Sequence, residues 1–275
     1  MVTKLPEKII DFHVHLFPDK LFEAIWHHFV HDYGWKVIHK MYYRECIDYL
    51  RERGVEKIAY CNYAHKPGVA QGLNQWNATI IDEQEDLYCL AAFHPGDEDC
   101  MAMARDILSH PKVLGFKLQF LVTDFLPEDP RLFELYELVM EKGKRLLLHI
   151  GTGPVANDFV GLEHFLNVLE RYPGLPATVA HMGGLEYKGF MDLLDKHENL
   201  MFDTAFSFLP GDNVRYDQGP DSLEKYKDRI LYGSDFPNLI LPRKQEIDCL
   251  LEMDLSQEFY DKVFWENGLG LLPSA

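Results

Sequence analysis

Polar residues interrupt otherwise apolar segments of the sequence at positions where they could bind a metal ion or move protons. These residues are His13, His15, Lys117, His149, His181 and Asp235. His13 and His15 are two residues apart, so on a strand their imidazoles point to the same face and form half of a site for zinc or a similar divalent ion. Taken singly, a His-x-His pair is more often incidental, His149 fits a core histidine, and Asp235 fits a helix cap.

The elements that would position these residues are short β-rich segments that alternate with helical periodicity. We predict strands at Ile9–His15, Lys57–Asn62, Leu87–His94, Val113–Gln119, Arg145–Gly151, Ala177–Met182, Leu200–Thr204 and Arg229–Asp235. Successive strands begin 23 to 48 residues apart, a spacing that suits a strand, a loop, a helix and a return loop. Between two of them, the apolar positions of Asp129–Lys142 largely share one helical face.

This alternation predicts an α/β protein with a single (β/α)8 TIM barrel spanning residues 1–275. The competing fold, a doubly wound open sheet, favours a Gly-rich turn after its first strand, where this chain has the sequence His13–Pro18. In a barrel, the carboxyl ends of all strands meet at one rim, so the six polar residues would converge there. Unpaired buried polar groups are costly, and a metal or a proton-transfer network would relieve that cost.

The long interval after the first strand predicts a helical insertion at about 17–43 that is rich in aromatic residues and histidines. Two interpretations stay open for this insertion. It is either a core helix that covers the barrel or a lid or subunit contact on the catalytic face, which would allow a homodimer.

Composition excludes several classes of protein. With 27 Lys and Arg against 44 Asp and Glu, the net charge of −17 argues against a nucleic-acid binder. The apolar runs are too short for a membrane span, and no secretory signal is apparent, so we expect no membrane association. Five scattered cysteines without a Cys-x-x-Cys pair predict reduced thiols, no thiolate zinc site and a cytoplasmic location.

Five motifs, taken in order, resemble the amidohydrolase superfamily over almost the entire chain. They are Asp11–His15, Gly115–Leu118, Leu148–Gly151, Ala180–Gly184 and Tyr232–Pro237. The resemblance is greatest to the branch of amidohydrolase-related proteins that includes aminocarboxymuconate-semialdehyde decarboxylase. As a set, the motifs are specific for the superfamily but weakly diagnostic of substrate.

The resemblance implies a role for each polar residue. His13, His15, His149 and Asp235 match the ligands of one divalent metal ion, most simply Zn²⁺, which lowers the pKa of a bound water to about 7. Asp235 and His181 match the catalytic groups that move protons, and His181 is not a ligand in the mononuclear branch. If Lys117 were carboxylated, it would bridge a second metal; otherwise it is an unmodified lysine.

Two catalytic functions and one non-catalytic function compete at this stage. The first is a metal-dependent hydrolase that uses a metal-activated water on a small-molecule amide, lactone or related bond. The alternative is a lyase that decarboxylates or hydrates a small carboxylic acid. A barrel that serves only as a binding module is disfavoured because every ligand position is filled. As substrate-binding residues we predict Lys117, His94 and Arg243, which lie late in strands or in loops after them.

Overall fold

The computed structural model describes residues 5–123, 125–211 and 215–273. Its eight strands are β1 (Ile9–His15), β2 (Val55–Cys61), β3 (Leu87–Ala92), β4 (Val113–Gln119), β5 (Arg145–His149), β6 (Ala177–Val179), β7 (Leu200–Asp203) and β8 (Ile230–Leu231). The α-helices are α1 (Asp19–His31), α2 (Tyr43–Arg51), α3 (Ala70–Glu83), α4 (Cys100–Leu108), α5 (Phe133–Glu141), α6 (Leu162–Arg171), α7 (Tyr187–Leu193), α8 (Gly219–Lys225), α9 (Arg243–Leu251), α10 (Gln257–Asp261) and α11 (Asn267–Leu271).

The strands form one parallel sheet in sequence order, and the sheet curls into a barrel, as predicted. Closure is made by β1 and the segment that follows β8. The amide of His15 donates to the carbonyl of Phe236 at 2.7 Å, and the amide of Asp235 donates to the carbonyl of His13 at 2.7 Å. The end of β1 that carries His13 and His15 is therefore bonded directly to the loop that carries Asp235.

The predicted strand bounds agree for some strands and run past the structure for others. The predicted bounds of β1 and β4 match the structure, whereas β6 ends at Val179 and β8 ends at Leu231. His181 and Asp235 therefore lie in turns just beyond their strands. The helix predicted over Asp129–Lys142 is present as a 3₁₀ turn at Pro130–Leu132 followed by α5.

A register shift in β1 determines which side chains face the barrel interior. The pairing with β2 shifts between Asp11 and Val14, which is the signature of a bulge. Phe12 packs in the interior cluster, and Val14 packs in the larger cluster between strands and helices. The bulge allows His13 to follow Phe12 into the interior, so His13 and His15 both reach the same rim.

The insertion at 17–43 contains α1 and an extended segment after it. Phe22 and Trp26 are buried against the barrel, while Phe29 and Trp35 stack on each other and line a cavity at the catalytic end. One face of the insertion therefore belongs to the core and its distal part covers the rim. Within the described ranges, no helix is long and apolar enough to cross a membrane.

Candidate metal centre

The predicted site residues lie together at the carboxyl-terminal rim of the barrel. His13, His15, Lys117, His149 and Asp235 are all less than one tenth exposed. They come from four different parts of the chain: β1, β4, β5 and the loop after β8. The fold thus brings together a set of residues that are up to 222 positions apart (235 − 13).

Two imidazoles and one carboxylate oxygen converge at the end of β1. Oδ1 of Asp235 lies 2.8 Å from Nε2 of His15 and 3.2 Å from Nε2 of His13. His13, His181 and Asp235 each offer a ligand atom, and these atoms lie within 4.8 Å of one another. Three donors at this separation can surround one cation.

Asp203 orients two of the site's histidines from behind. Its Oδ2 accepts a hydrogen bond from Nδ1 of His13 at 2.9 Å, and its Oδ1 accepts one from the backbone amide of His181 at 2.9 Å. Because Nδ1 of His13 is bonded to the carboxylate, Nε2 is the nitrogen free to bind a metal. A carboxylate behind a ligating histidine is a common feature of metal sites.

His149 and His181 form a second, adjacent pair. Nε2 of His181 lies 3.1 Å from Nδ1 of His149, and Nδ1 of His181 contacts the carbonyl of Ala205 at 3.0 Å. Nε2 of His149 contacts the carbonyl of Gly153 at 2.8 Å, which fixes the ring. His149 lies beside the convergence point of His13, His15 and Asp235 and contacts it through His181.

The electrostatics of the site suit a divalent cation. Burial lowers the pKa of His13 well below its usual value, and Lys117 lowers it further; burial and then His181 lower the pKa of His149. Burial alone would raise the pKa of Asp235, but His15 and His13 outweigh it and hold the pKa at about 2. Neutral imidazoles beside an ionised carboxylate are the protonation states that a metal requires. The donor set therefore fits the predicted ion.

Two further groups lie against this donor set. Cys61 Sγ is 3.5 Å from Nδ1 of His15 and shares a cluster with both β1 histidines. Burial raises the pKa of the Cys61 thiol, which keeps it protonated and makes it a poor ligand. Nζ of Lys117 is fully buried and lies 3.3 Å from Nε2 of His13.

The backbone is strained at both predicted proton-transfer residues. His181 has φ 57° and Asp235 has φ 60°, in the left-handed region that residues other than glycine seldom occupy. Strain of this kind persists only where the surrounding structure enforces it, and it clusters at active sites. Both residues lie just past short strands, where the chain turns sharply to aim the side chain at the barrel axis.

Two connected chambers open onto the site. Chamber one has a volume of about 230 Å³ and is lined in part by His15, Phe29, Tyr63, Gln119 and Asn238. Chamber two has a volume of about 190 Å³ and is lined in part by His181, Leu185, Phe206, Leu209 and Ile240. They share Trp35, His149, Pro154 and Asp235. Aromatic and aliphatic walls with a few polar groups are typical of small-molecule sites.

The predicted substrate-binding residues all lie outside the lining of these chambers. Lys117 lies beneath His13, as described above. Nδ1 of His94 accepts from the amide of Gly96 at 3.0 Å, and its ring packs edge-on against Phe125. Arg243 is buried at the start of α9, with its Nε 3.7 Å from Oδ2 of Asp11. These three assignments remain predictions from the sequence.

Sequence reasoning overlooked residues that the structure places at the centre. Asp203 lies at the end of a predicted strand, and a charged residue inside such an apolar run was the available signal. Gln119 ends β4 and lines chamber one, and nothing local distinguishes it from an ordinary strand-end amide.

The comparisons with known proteins agree with the barrel fold. The family model described as amidohydrolase matches residues 10–273. The chain belongs to the amidohydrolase family. A search of the curated proteins found no match.

Solved structures share this fold at low sequence identity. A 2,6-dihydroxybenzoate decarboxylase from Rhizobium is 16% identical, with a TM-score of 0.69 over 96% of this chain and 98% of that one. A 5-carboxyvanillate decarboxylase from Novosphingobium aromaticivorans, solved with manganese, is 13% identical, with a TM-score of 0.66 and coverage of 96% and 95%. A probable 2-pyrone-4,6-dicarboxylic acid hydrolase from Acinetobacter baumannii is 14% identical, with a TM-score of 0.64 and coverage of 96% and 98%.

The present chain is therefore an enzyme of the amidohydrolase superfamily with a TIM-barrel fold, as the motifs predicted. Its structural neighbours include both decarboxylases and a hydrolase, so family membership leaves the reaction open between these two classes.

Proposed function

We propose that this amidohydrolase is a metal-dependent decarboxylase of a small aromatic carboxylic acid. The observation that carries the proposal is the distribution of charge around the chambers. Among the described residues, the only acidic or basic groups that line them are Asp235 and the site histidines, and the remaining walls are neutral. An acid that enters would place its carboxylate at the metal site and its ring against aromatic walls.

We infer that His13, His15, His149 and Asp235 hold one divalent ion, with zinc the first expectation. Manganese is the alternative because it is bound in the 5-carboxyvanillate decarboxylase. When bound, the ion supplies positive charge that neutralises a substrate oxygen and orients the carboxylate. A second ion would require carboxylation of Lys117, whose buried Nζ lies near His13.

The apolar chambers favour loss of CO2 on electrostatic grounds. A carboxylate has a concentrated charge, and once the ring carbon of a hydroxybenzoate has taken a proton, this charge spreads over the ring and its phenolate oxygen as the bond to the carboxyl carbon breaks. An environment that solvates the ground state poorly therefore lowers the barrier, provided that water is excluded. Trp35 lies between the two chambers and covers the rim, where it would help to exclude water.

Proton transfer completes the reaction. The ring carbon takes one proton first, and the electron pair of the carbon–carbon bond then passes into the ring as CO2 leaves. We assign that proton to Asp235, which faces both chambers. With a pKa of about 2, Asp235 is ionised in the free enzyme, so it first accepts a proton from a substrate hydroxyl and then delivers it to the ring carbon. The phenolate that remains after CO2 leaves takes a proton from solvent. His181, fixed by Ala205 and His149, orients the substrate at this carboxylate.

A hydrolase of an amide, lactone or related bond is the second candidate. The same donors could hold a metal and a water, and the neighbouring structure of a probable pyrone dicarboxylic acid hydrolase favours this chemistry. The neutral lining accommodates an uncharged lactone or amide better than it accommodates a dicarboxylate.

Product analysis separates the two candidates. We would incubate the metal-loaded enzyme with hydroxybenzoic acids and, separately, with small lactones and amides, and measure CO2 against acid or amine release. Decarboxylation predicts stoichiometric CO2 from a hydroxybenzoic acid and at least a 100-fold lower rate for Asp235→Asn, matched against Asp217→Asn on the surface. Acid or amine release without CO2 would establish the hydrolase instead.

A further inference from the structure

The chambers lack a cationic side chain that could meet a second acidic group of the substrate. No lysine or arginine of the described ranges lines either chamber. Lys117 is covered by His13, and Nη2 of Arg215 contacts the carbonyl of Cys249 at 3.4 Å. Arg243 lies behind the site near Asp11. Only the metal site can therefore neutralise an anion here.

A second carboxylate would meet no cationic side chain among the described residues of either chamber. In chamber two it would meet Leu185, Phe206 and Leu209, which offer no hydrogen-bond donor from their side chains. Near the site itself it would meet the carboxylate of Asp235. Burying an unpaired charge against apolar walls or a like charge carries a large penalty.

Neutral polar groups are available in chamber one. Gln119 and Asn238 both line it, and each has a buried side-chain oxygen without a hydrogen-bond partner among the described residues. Buried acceptors without partners are costly, and a ligand hydroxyl can supply the missing donor. The amide nitrogen of Gln119 lies 3.3 Å from Nδ1 of His149, so this side chain is adjacent to the metal site.

We propose that the chambers select an aromatic acid with a single carboxylate, a neutral hydrogen-bond donor next to it, and no second charged group. The inference rests on the proposed function, which identifies the ligand as an aromatic acid. It separates this chain from a 5-carboxyvanillate or pyrone dicarboxylate enzyme, whose named substrates carry two carboxylates.

The test measures binding, so it does not depend on turnover. We would titrate the metal-loaded enzyme calorimetrically with benzoate, 2-hydroxybenzoate and 2-hydroxyisophthalate, and check each sample chromatographically for product. We expect 2-hydroxybenzoate to bind at least tenfold more tightly than 2-hydroxyisophthalate and at least fivefold more tightly than benzoate. Equal affinity for the mono- and dicarboxylate would overturn the inference, as would equal affinity for benzoate and 2-hydroxybenzoate.

Variants that add a cation test the cause. Val155 and Leu185 line chambers one and two and are 56% and 47% exposed, so arginine can replace either without disturbing the core. In Val155→Arg or Leu185→Arg, the preference for 2-hydroxybenzoate over 2-hydroxyisophthalate should fall at least threefold. Leu166→Arg, on the outer face of α6, should leave this ratio of affinities unchanged. If neither chamber variant lowers this ratio, the lack of a cation in the chambers is not the cause of the selectivity. Selective binding without CO2 release would refute the decarboxylase while leaving this inference intact.

Discussion

Asp203 is proposed to orient the metal ligand His13 without binding the metal itself, and its replacement tests that role. It bonds Nδ1 of His13 and the amide of His181, and it is fully buried. Asp203→Asn would keep the shape but weaken the acceptor for His13. We expect metal affinity to fall about 10- to 100-fold, as for other carboxylates behind ligating histidines.

Competition with a chromophoric chelator measures this affinity. Asp195→Asn provides the control because Asp195 is exposed and pairs with Lys225 on the surface. An Asp203→Asn variant that binds metal as tightly as the parent protein would show that the His13–Asp203 bond does not orient the ligand.

Asp11 provides a prediction of pH dependence. Burial raises its pKa from 3.8 to about 6, although Arg243 and Ser234 partly counteract the shift. Between these two values the folded state binds the proton and the unfolded state does not, so the stability from Asp11 is full below pH 3.8 and is lost as the pH rises through 6. Asp11→Asn lacks this dependence.

The comparison requires urea unfolding of the metal-free protein at pH 4 and pH 7. Between these values, the free energy of unfolding of Asp11→Asn should gain about 2.4 kcal/mol on that of the parent protein, since one pKa unit corresponds to about 1.4 kcal/mol and pH 4 already lies just above the unfolded pKa of 3.8. Asp217→Asn is the exposed control. A difference that does not change with pH would mean that Asp11 keeps its ordinary pKa in the folded protein.

At the scale of elements, the turns after β5 and β6 must approach closely to bring His149 to His181. Gly151 lies at this contact, and a Cβ there would be 2.5 Å from the carbonyl carbon of Gly183. Gly151→Ala would therefore push the two turns apart. We expect about 1 to 3 kcal/mol of destabilisation, typical of overpacking, together with loss of the 3.1 Å contact between the two imidazoles.

The matched control is Gly72→Ala in the first turn of α3, where a Cβ would meet nothing within 4 Å. That change should stabilise the protein by up to about 1 kcal/mol, because it restricts the unfolded chain and suits a helix. Thermal unfolding and metal titration of both variants test the pair. Equal effects of the two substitutions on metal binding would show that the close approach of the turns is unimportant for the site.

At the scale of the whole molecule, bound metal should stabilise the fold because its ligands come from both ends of the chain. β1 and the loop after β8 close the barrel, and both carry proposed ligands. An ion that binds only the folded state adds about 2.7 kcal/mol at 100 times its Kd. We expect one divalent ion per chain and a melting temperature that falls by several degrees after chelation.

Elemental analysis and calorimetry of the purified and the chelated protein check this prediction. Restoring zinc or manganese should recover the melting temperature, and magnesium should not, because imidazoles are poor ligands for it. Two ions per chain would instead support carboxylation of Lys117. An unchanged melting temperature after complete removal of metal would contradict the structural role given to the site.

Local patterns in the sequence were sufficient for the fold and for most of the site. The apolar runs, their spacing and the polar residues at their ends predicted the barrel and placed His13, His15, His149, His181 and Asp235 at one rim. This worked because a parallel barrel has a single geometry: every strand ends at the same face, so order along the chain implies proximity in space.

Only the tertiary structure revealed the contacts that depend on several elements at once. Asp203 looked like a strand residue, Arg243 looked like a loop cation, and Gln119 had no distinguishing neighbour along the chain. Their surroundings arise from the β1 bulge, the strained turns after β6 and β8, and the fold of the insertion over the rim. Side-chain types and their order therefore determined the barrel and the polar residues at its rim, whereas long-range packing decided which charges line the chambers, because that depends on distances no local pattern encodes.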